Sequence, residues 1–218
     1  MMKKQKKLPI AALLLAVLLL LPAGCGVQGG AADTPPDGAQ QTEGKDQYQT
    51  DPVPDGKPAP VEPDDAVVDT GTQLTCTISI SCATILDNWD KCADSKKPLV
   101  PDDGVLLPAA EVTFSQGESV YDVLQRVCRE NRIHMESSFT PVYNSAYIEG
   151  IGNLYEFDVG SESGWMYAVN GWYPNYGCGV YFVKAGEVIE WNFSCDLGCD
   201  LENGDPYGYG KEWKDNHD

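Results

Sequence analysis

The chain has 218 residues, 33 acidic against 15 basic side chains, and a formal charge of −18. That balance excludes a phosphate-backbone partner, because nucleic acid is held by Lys and Arg. The length suits one ordinary domain plus extensions rather than two large ones.

In chain order, the first seven residues carry four lysines and no acid, and residues 8–21 are almost wholly apolar. A basic start, an apolar run of this length and a small-residue exit predict a secretory signal, since a permanent span needs about 20 apolar residues. The exit Pro22-Ala23-Gly24-Cys25 resembles a bacterial lipobox, with Pro22 where Leu is usual. The resemblance implies cleavage before Cys25 and lipid on its thiol, giving a membrane-anchored chain on the extracytoplasmic face. An uncleaved N-terminal anchor is the alternative, and it leaves the rest of the chain on the same side. Loss of residues 1–24 removes four lysines and no acid, so the formal charge moves from −18 to −22.

Residues 26–70 hold seven prolines, ten acids and one aromatic, Tyr48. Such a segment has too little apolar surface to offset the entropy of ordering it, and it is expected to be a disordered tether.

The domain is expected over residues 71–205, followed by a loose tail from 206 to 218. Leu74, Cys76, Ile78, Ile80 and Cys82 alternate with Thr75, Thr77, Ser79 and Ser81, the two-residue period of a half-buried strand. Residues 86–108 read as a long charged excursion, and residues 110–114 as a short strand closed by Ser115-Gln116-Gly117. Val120, Val123, Leu124, Val127 and Cys128 then form the single buried stripe of a helix. Ser119 and Asp122 stand where a capping box would put them, and Arg126, Arg129 and Arg132 suit the C-terminal half. Further on, residues 165–169 run into Asn170-Gly171, a hairpin signal, with Trp172 and Tyr173 returning. Residues 180–183 are expected to pair with 188–193 across Lys184-Ala185-Gly186-Glu187. In the last strand Ile189, Trp191, Phe193 and Cys195 share a face, and Glu190, Asn192 and Ser194 share the other. One helix against a mixed sheet of four to six strands defines an α+β domain.

The run Ser163-Gly164-Trp165-Met166-Tyr167-Ala168-Val169-Asn170-Gly171-Trp172, continued by Pro174-Asn175-Tyr176-Gly177 and by Ala185-Gly186-Glu187-Val188-Ile189-Glu190-Trp191, carries a family resemblance. It resembles bacterial surface proteins with a transcobalamin-like C-terminal domain, over roughly residues 72–202. Glu187 stands where that pattern has Asp. The resemblance implies a β-grasp fold of the soluble-ligand-binding type, related to the small domain that closes over cobalamin in transcobalamin and intrinsic factor. There a large helical domain supplies most of the cleft. This sequence has no such stretch, so a corrinoid would be bound together with a helical partner.

The aromatic cluster is the candidate binding site: Trp165, Tyr167, Asn170, Trp172, Tyr173, Asn175 and Tyr176. Ring faces beside small residues stack on flat ligands or sugars, and amides fix orientation. Trp165 and Tyr167 share one face with Val169, so they are core or site together. Trp172, Tyr173 and Tyr176, near a turn, can serve a surface.

With Cys25 taken by lipid, seven cysteines remain, an odd number outside the cytoplasm. Cys178 and Cys195 flank the final hairpin and could bridge across strands. Cys76 and Cys82 face the core and could reach another strand, whereas Cys128 on the helix stripe suits an unpaired thiol. Connectivity stays open. No C-x-x-C motif occurs, so structural zinc is not expected. The acids Asp196, Asp200, Glu202 and Asp205 lack the spacing of a calcium loop. His134 has no nucleophile motif beside it, and no catalytic residue, metal or cofactor is expected. Two functions follow: a lipid-anchored module for a small ligand, a corrinoid among the candidates, or a cell-surface module that meets a protein or glycan.

Overall fold

The computed structural model describes residues 52–204. The signal segment, Cys25, the tether up to residue 51 and the tail lie outside the described residues. Among the described residues, no helix is long and apolar enough to cross a membrane.

The fold is α+β. Strand β1 (Asp69–Ser81) pairs antiparallel with β2 (Val105–Gln116) and parallel with β7 (Val188–Ser194), and β6 (Gly164–Val169) pairs antiparallel with β7. The sheet order is therefore β2-β1-β7-β6. Alternation in β1 places Cys76, Ile78 and Ile80 in the core, and the register sets Ile78 beside Ile189 and Ile80 beside Trp191. Each such fully buried aliphatic side chain contributes about 1.5–3 kcal/mol relative to exposure. Between β1 and β2 a short helix α1 (Thr84–Asp87) opens the long excursion.

Helix α2 (Val120–Asn131) buries Val120, Val123, Leu124, Val127 and Cys128, as the helical period requires. Its N-terminus is a capping box. The Ser119 hydroxyl accepts the Asp122 N–H at 3.2 Å, and Asp122 Oδ2 accepts the Ser119 N–H at 2.9 Å. At the other end Arg132 takes a left-handed conformation, φ 57°, and closes the last turn. A hairpin, a helix and a final strand parallel to the first give the β-grasp-like arrangement.

A second sheet follows the helix: β3 (Met135–Thr140), β4 (Ser145–Ile151) and β5 (Leu154–Tyr155), in the order β3-β4-β5. The mixed sheet holds four strands, within the expected range, and this three-stranded sheet is an addition to it. Residues 135–140 carry little alternation, which hides β3 in the sequence.

Three expectations change. Residues 180–183 form no strand. Instead the loop from 177 to 183 supplies acceptors to the start of α2: Tyr181 O takes the Val120 N–H at 2.9 Å and Cys178 O the Tyr121 N–H at 3.2 Å. Those donors have no partner inside the helix, so the loop is recruited to them. The return after Asn170-Gly171 is equally brief. Positive φ at Asn170 (52°) and Gly171 (72°) makes the tight turn, and Val169 and Trp172 exchange two hydrogen bonds. Tyr173 does not continue the pairing, and Pro174 has no N–H to offer.

Third, the tether does not run unattached up to Thr70. From Pro52 the chain lies on the domain, the Val61 N–H donates to Val180 O at 2.9 Å, and β1 begins at Asp69. Val53 packs against the core.

No disulfide joins the described cysteines. The candidate Cys178–Cys195 bridge is not formed here, because residues 180–183 make no strand and Cys178 lies elsewhere. Cys178 Sγ faces Ala146 O at 3.7 Å, whereas Cys195 Sγ faces Thr84 Oγ1 at 3.7 Å. Cys76 and Cys82 are likewise buried thiols.

Candidate functional site

Strand β6 is an edge of the mixed sheet, and β4 of the second sheet runs near it. The two leave a cleft of about 200 Å³ lined by Tyr147, Trp165, Met166, Tyr167, Tyr173 and Trp191, with Pro174 and Gly177 from the loop. The loop can approach β4 only because residue 177 is glycine. A Cβ there would stand 2.1 Å from Ser145 Oγ and 2.4 Å from its Cβ.

Three rings of the cleft are held by hydrogen bonds. Trp165 Nε1 donates to Leu154 O at 2.8 Å, and its ring meets Phe193 edge-on at 5.2 Å between centroids. The Tyr167 hydroxyl donates to Tyr176 O at 2.9 Å, which ties the loop to the sheet. Burial holds that phenol well above its ordinary pKa, so it remains a neutral donor. Tyr173 accepts a hydrogen bond from Asn192 Nδ2 at 2.9 Å, and burial raises its pKa too. Burial pushes the neighbouring Cys178 thiol up to about 12, which leaves it unreactive near neutral pH.

Trp191 differs from the rest. It is 2 % exposed and lies 5.5 Å from Tyr167, ring centroid to centroid, yet its indole N–H has no hydrogen-bond partner. A buried donor left unmatched costs about 1–3 kcal/mol. An acceptor on a bound molecule would recover that cost once a small shift of the cleft wall exposed the N–H.

Of the seven residues singled out from sequence, Trp165, Tyr167 and Tyr173 line this cleft. Asn170 instead holds the turn, its Oδ1 accepting the Val188 N–H at 2.9 Å. Trp172, Asn175 and Tyr176 face away, towards the chain arriving from residue 52. Trp172 meets Tyr176 at 6.0 Å, and Tyr176 stacks on Tyr181 at 6.1 Å. Sequence reasoning missed Trp191, Met166 and Tyr147. Trp191 was visible as an inward position of β7, but nothing local marks its N–H as unmatched.

Of the other depressions, two bear on the choice of site. One of about 440 Å³ is lined by Glu190, Asp200 and Glu202. Asp200 is already engaged there by the Ser194 hydroxyl at 2.6 Å and the Cys195 N–H at 2.8 Å. Among the described residues no group of His, Cys, Asp and Glu is placed to hold a metal ion. The other, about 360 Å³, is an apolar groove between Val68, Tyr121 and Phe139. Phe139, Val142 and Tyr143 are more than half exposed around the β3–β4 turn.

Similarities to known proteins are found. Residues 117–194 match the domain of unknown function DUF4430, from the start of α2 to the end of β7. Haptocorrin in complex with Cbi is similar at 16 % identity and a TM-score of 0.42, over 58 % of this chain and 26 % of that one. The chain thus spans about a quarter of haptocorrin's length. A Ruminococcus gnavus ATCC 29149 protein, described as a candidate metal-binding protein, is similar at 14 % identity and a TM-score of 0.33, over 56 % of this chain and 96 % of that one. No curated protein sequence matches this chain.

Proposed function

We propose that this chain is a lipid-anchored binding module on the extracytoplasmic face, and that the cleft between β4 and β6 takes one edge of a small molecule, an apolar face bearing a hydrogen-bond acceptor. The unmatched indole N–H of Trp191, buried beside Trp165, Tyr167 and Tyr173, carries the reading. Aromatic walls with few polar groups are the usual make-up of a small-molecule site. At about 200 Å³ the cleft holds only part of a large ligand, so the remainder projects outward. A corrinoid fits that description when a helical partner covers its other side, because its rim carries amide carbonyls that accept hydrogen bonds.

The test is calorimetric titration of the full chain in mild detergent with cyanocobalamin and with cobinamide, with and without Trp191→Phe. Saturable heat that weakens at least about tenfold in Trp191→Phe, the cost of one hydrogen bond to a buried donor, supports the cleft. Saturable heat unchanged by that substitution moves the site elsewhere. No heat with either compound removes the solitary corrinoid receptor.

A second reading, a surface module for a protein or glycan, is favoured by the exposed Phe139, Val142 and Tyr143. Pull-down with Phe139→Ser as the control separates it from the first.

A further inference from the structure

The aromatic face on the far side of the 172–178 loop is already occupied, and its occupant is chemically distinctive. Residues 52–63 read Pro-Val-Pro-Asp-Gly-Lys-Pro-Ala-Pro-Val-Glu-Pro, five prolines in twelve positions. A turn closes from Pro54 O to the Lys57 N–H at 3.1 Å, helped by Gly56 at φ +80°. Beyond it the chain is extended. Glu62 has φ −65° and ψ 142°, the polyproline II region, and from Pro58 to Glu62 half-buried and exposed positions alternate.

Its contacts are specific. The Tyr176 hydroxyl donates to Pro58 O at 2.6 Å, Lys57 Nζ lies 5.1 Å from the Trp172 ring centre, and Val61 N–H bonds Val180 O at 2.9 Å. Asn144 Nδ2 donates to Glu62 Oε2 at 2.5 Å. A tyrosine hydroxyl on a proline carbonyl, a tryptophan under a cation and flanking rings are the means by which aromatic grooves hold proline-rich peptides. Proline-rich chain suits such a groove because it loses little entropy on docking.

We propose that Trp172, Tyr176 and the Val180 carbonyl form a recognition site for an extended, lysine-containing proline-rich peptide, and that residues 52–61 are its occupant in cis. The trans occupant is the same segment of a second copy. That segment is complementary by the contacts above, and it lies in the stretch that tethers the domain. Copies anchored side by side would present it at high effective concentration. The site is separate from the cleft of Trp191, so its failure leaves the proposed small-molecule function standing.

The experiment uses the full chain and a fluorescent synthetic peptide of residues 52–63. In the chain carrying Lys57→Glu and Val61→Pro, the cis segment loses its cation on Trp172 and its N–H to Val180. That chain is expected to bind the peptide at least about tenfold more tightly than the wild-type chain does. Adding Tyr176→Phe should reverse most of the gain, and a peptide carrying Lys57→Glu should bind weakly. Equal or absent binding in wild-type and opened chains overturns the proposal, as does indifference to Tyr176→Phe. Should the double variant fail to fold, hydrogen exchange on the wild type decides. The Val61 amide is expected to exchange far faster than that of Ile78 in β1, and faster still with excess peptide. Protection equal to Ile78, or no response to peptide, overturns it.

Discussion

Raising the pH from near 8 to near 10 is expected to destabilise the reduced domain severely. Burial pushes the thiols of Cys82, Cys128 and Cys178 up to about 12 and those of Cys76 and Cys195 to about 11, against an ordinary 9.0. The native state therefore keeps protons that the unfolded chain releases. Stability is full below the ordinary thiol pKa and is lost as the pH climbs towards the folded values. One pH unit above the ordinary value this amounts to about 1 kcal/mol for each thiol, so five thiols together cost about 5 kcal/mol. Domains of this size have only about 5–15 kcal/mol to lose. Urea unfolding followed by circular dichroism, under reductant at both pH values, measures the loss directly. Replacing Cys128 with alanine should reduce the loss by about 1 kcal/mol. Unfolding free energies that agree within about 1 kcal/mol at the two pH values would refute the reasoning.

Two substitutions test the supports of the site. Ser119→Ala removes the acceptor of the α2 cap at a 3 % exposed position and should cost about 1–2 kcal/mol, read as a melting temperature lower by roughly 3–6 °C; an unchanged melting temperature counts against the cap. Gly177→Ala drives a Cβ to within 2.1 Å of Ser145 Oγ and should destabilise by about 1–3 kcal/mol. Ser145→Gly should recover part of that loss, and strict additivity in the double variant would show that the two residues do not collide.

The parts legible in the sequence are those whose cause is local. The β1 alternation is a property of consecutive residues, and the α2 stripe with Ser119 and Asp122 is a property of one helix. Asn170-Gly171 declares its own turn. What escaped depends on partners distant in sequence. Residues 180–183 look like a strand because Val180, Tyr181 and Val183 suit one, yet their backbone goes to the helix start. The proline-rich run before β1 has the composition of a free tether. Nothing within it announces that Tyr176, more than a hundred residues on, will take its carbonyl.

The same distinction explains why the aromatic cluster divided in two. Within residues 165–176 the rings read as one patch. The 172–178 loop, however, is pinned from both sides, by Tyr167 to Tyr176 O beneath and by Tyr176 to Pro58 O above. Tyr173 is thereby turned to the Trp191 cleft, and Trp172 and Tyr176 to the incoming chain. Because one residue, Tyr176, is held by both contacts, release of residues 52–61 removes one of the restraints on the wall that Pro174 and Gly177 give the cleft. Any ligand of the cleft that needs this wall fixed would then bind more tightly while the segment is docked, and by linkage would hold the segment down in turn.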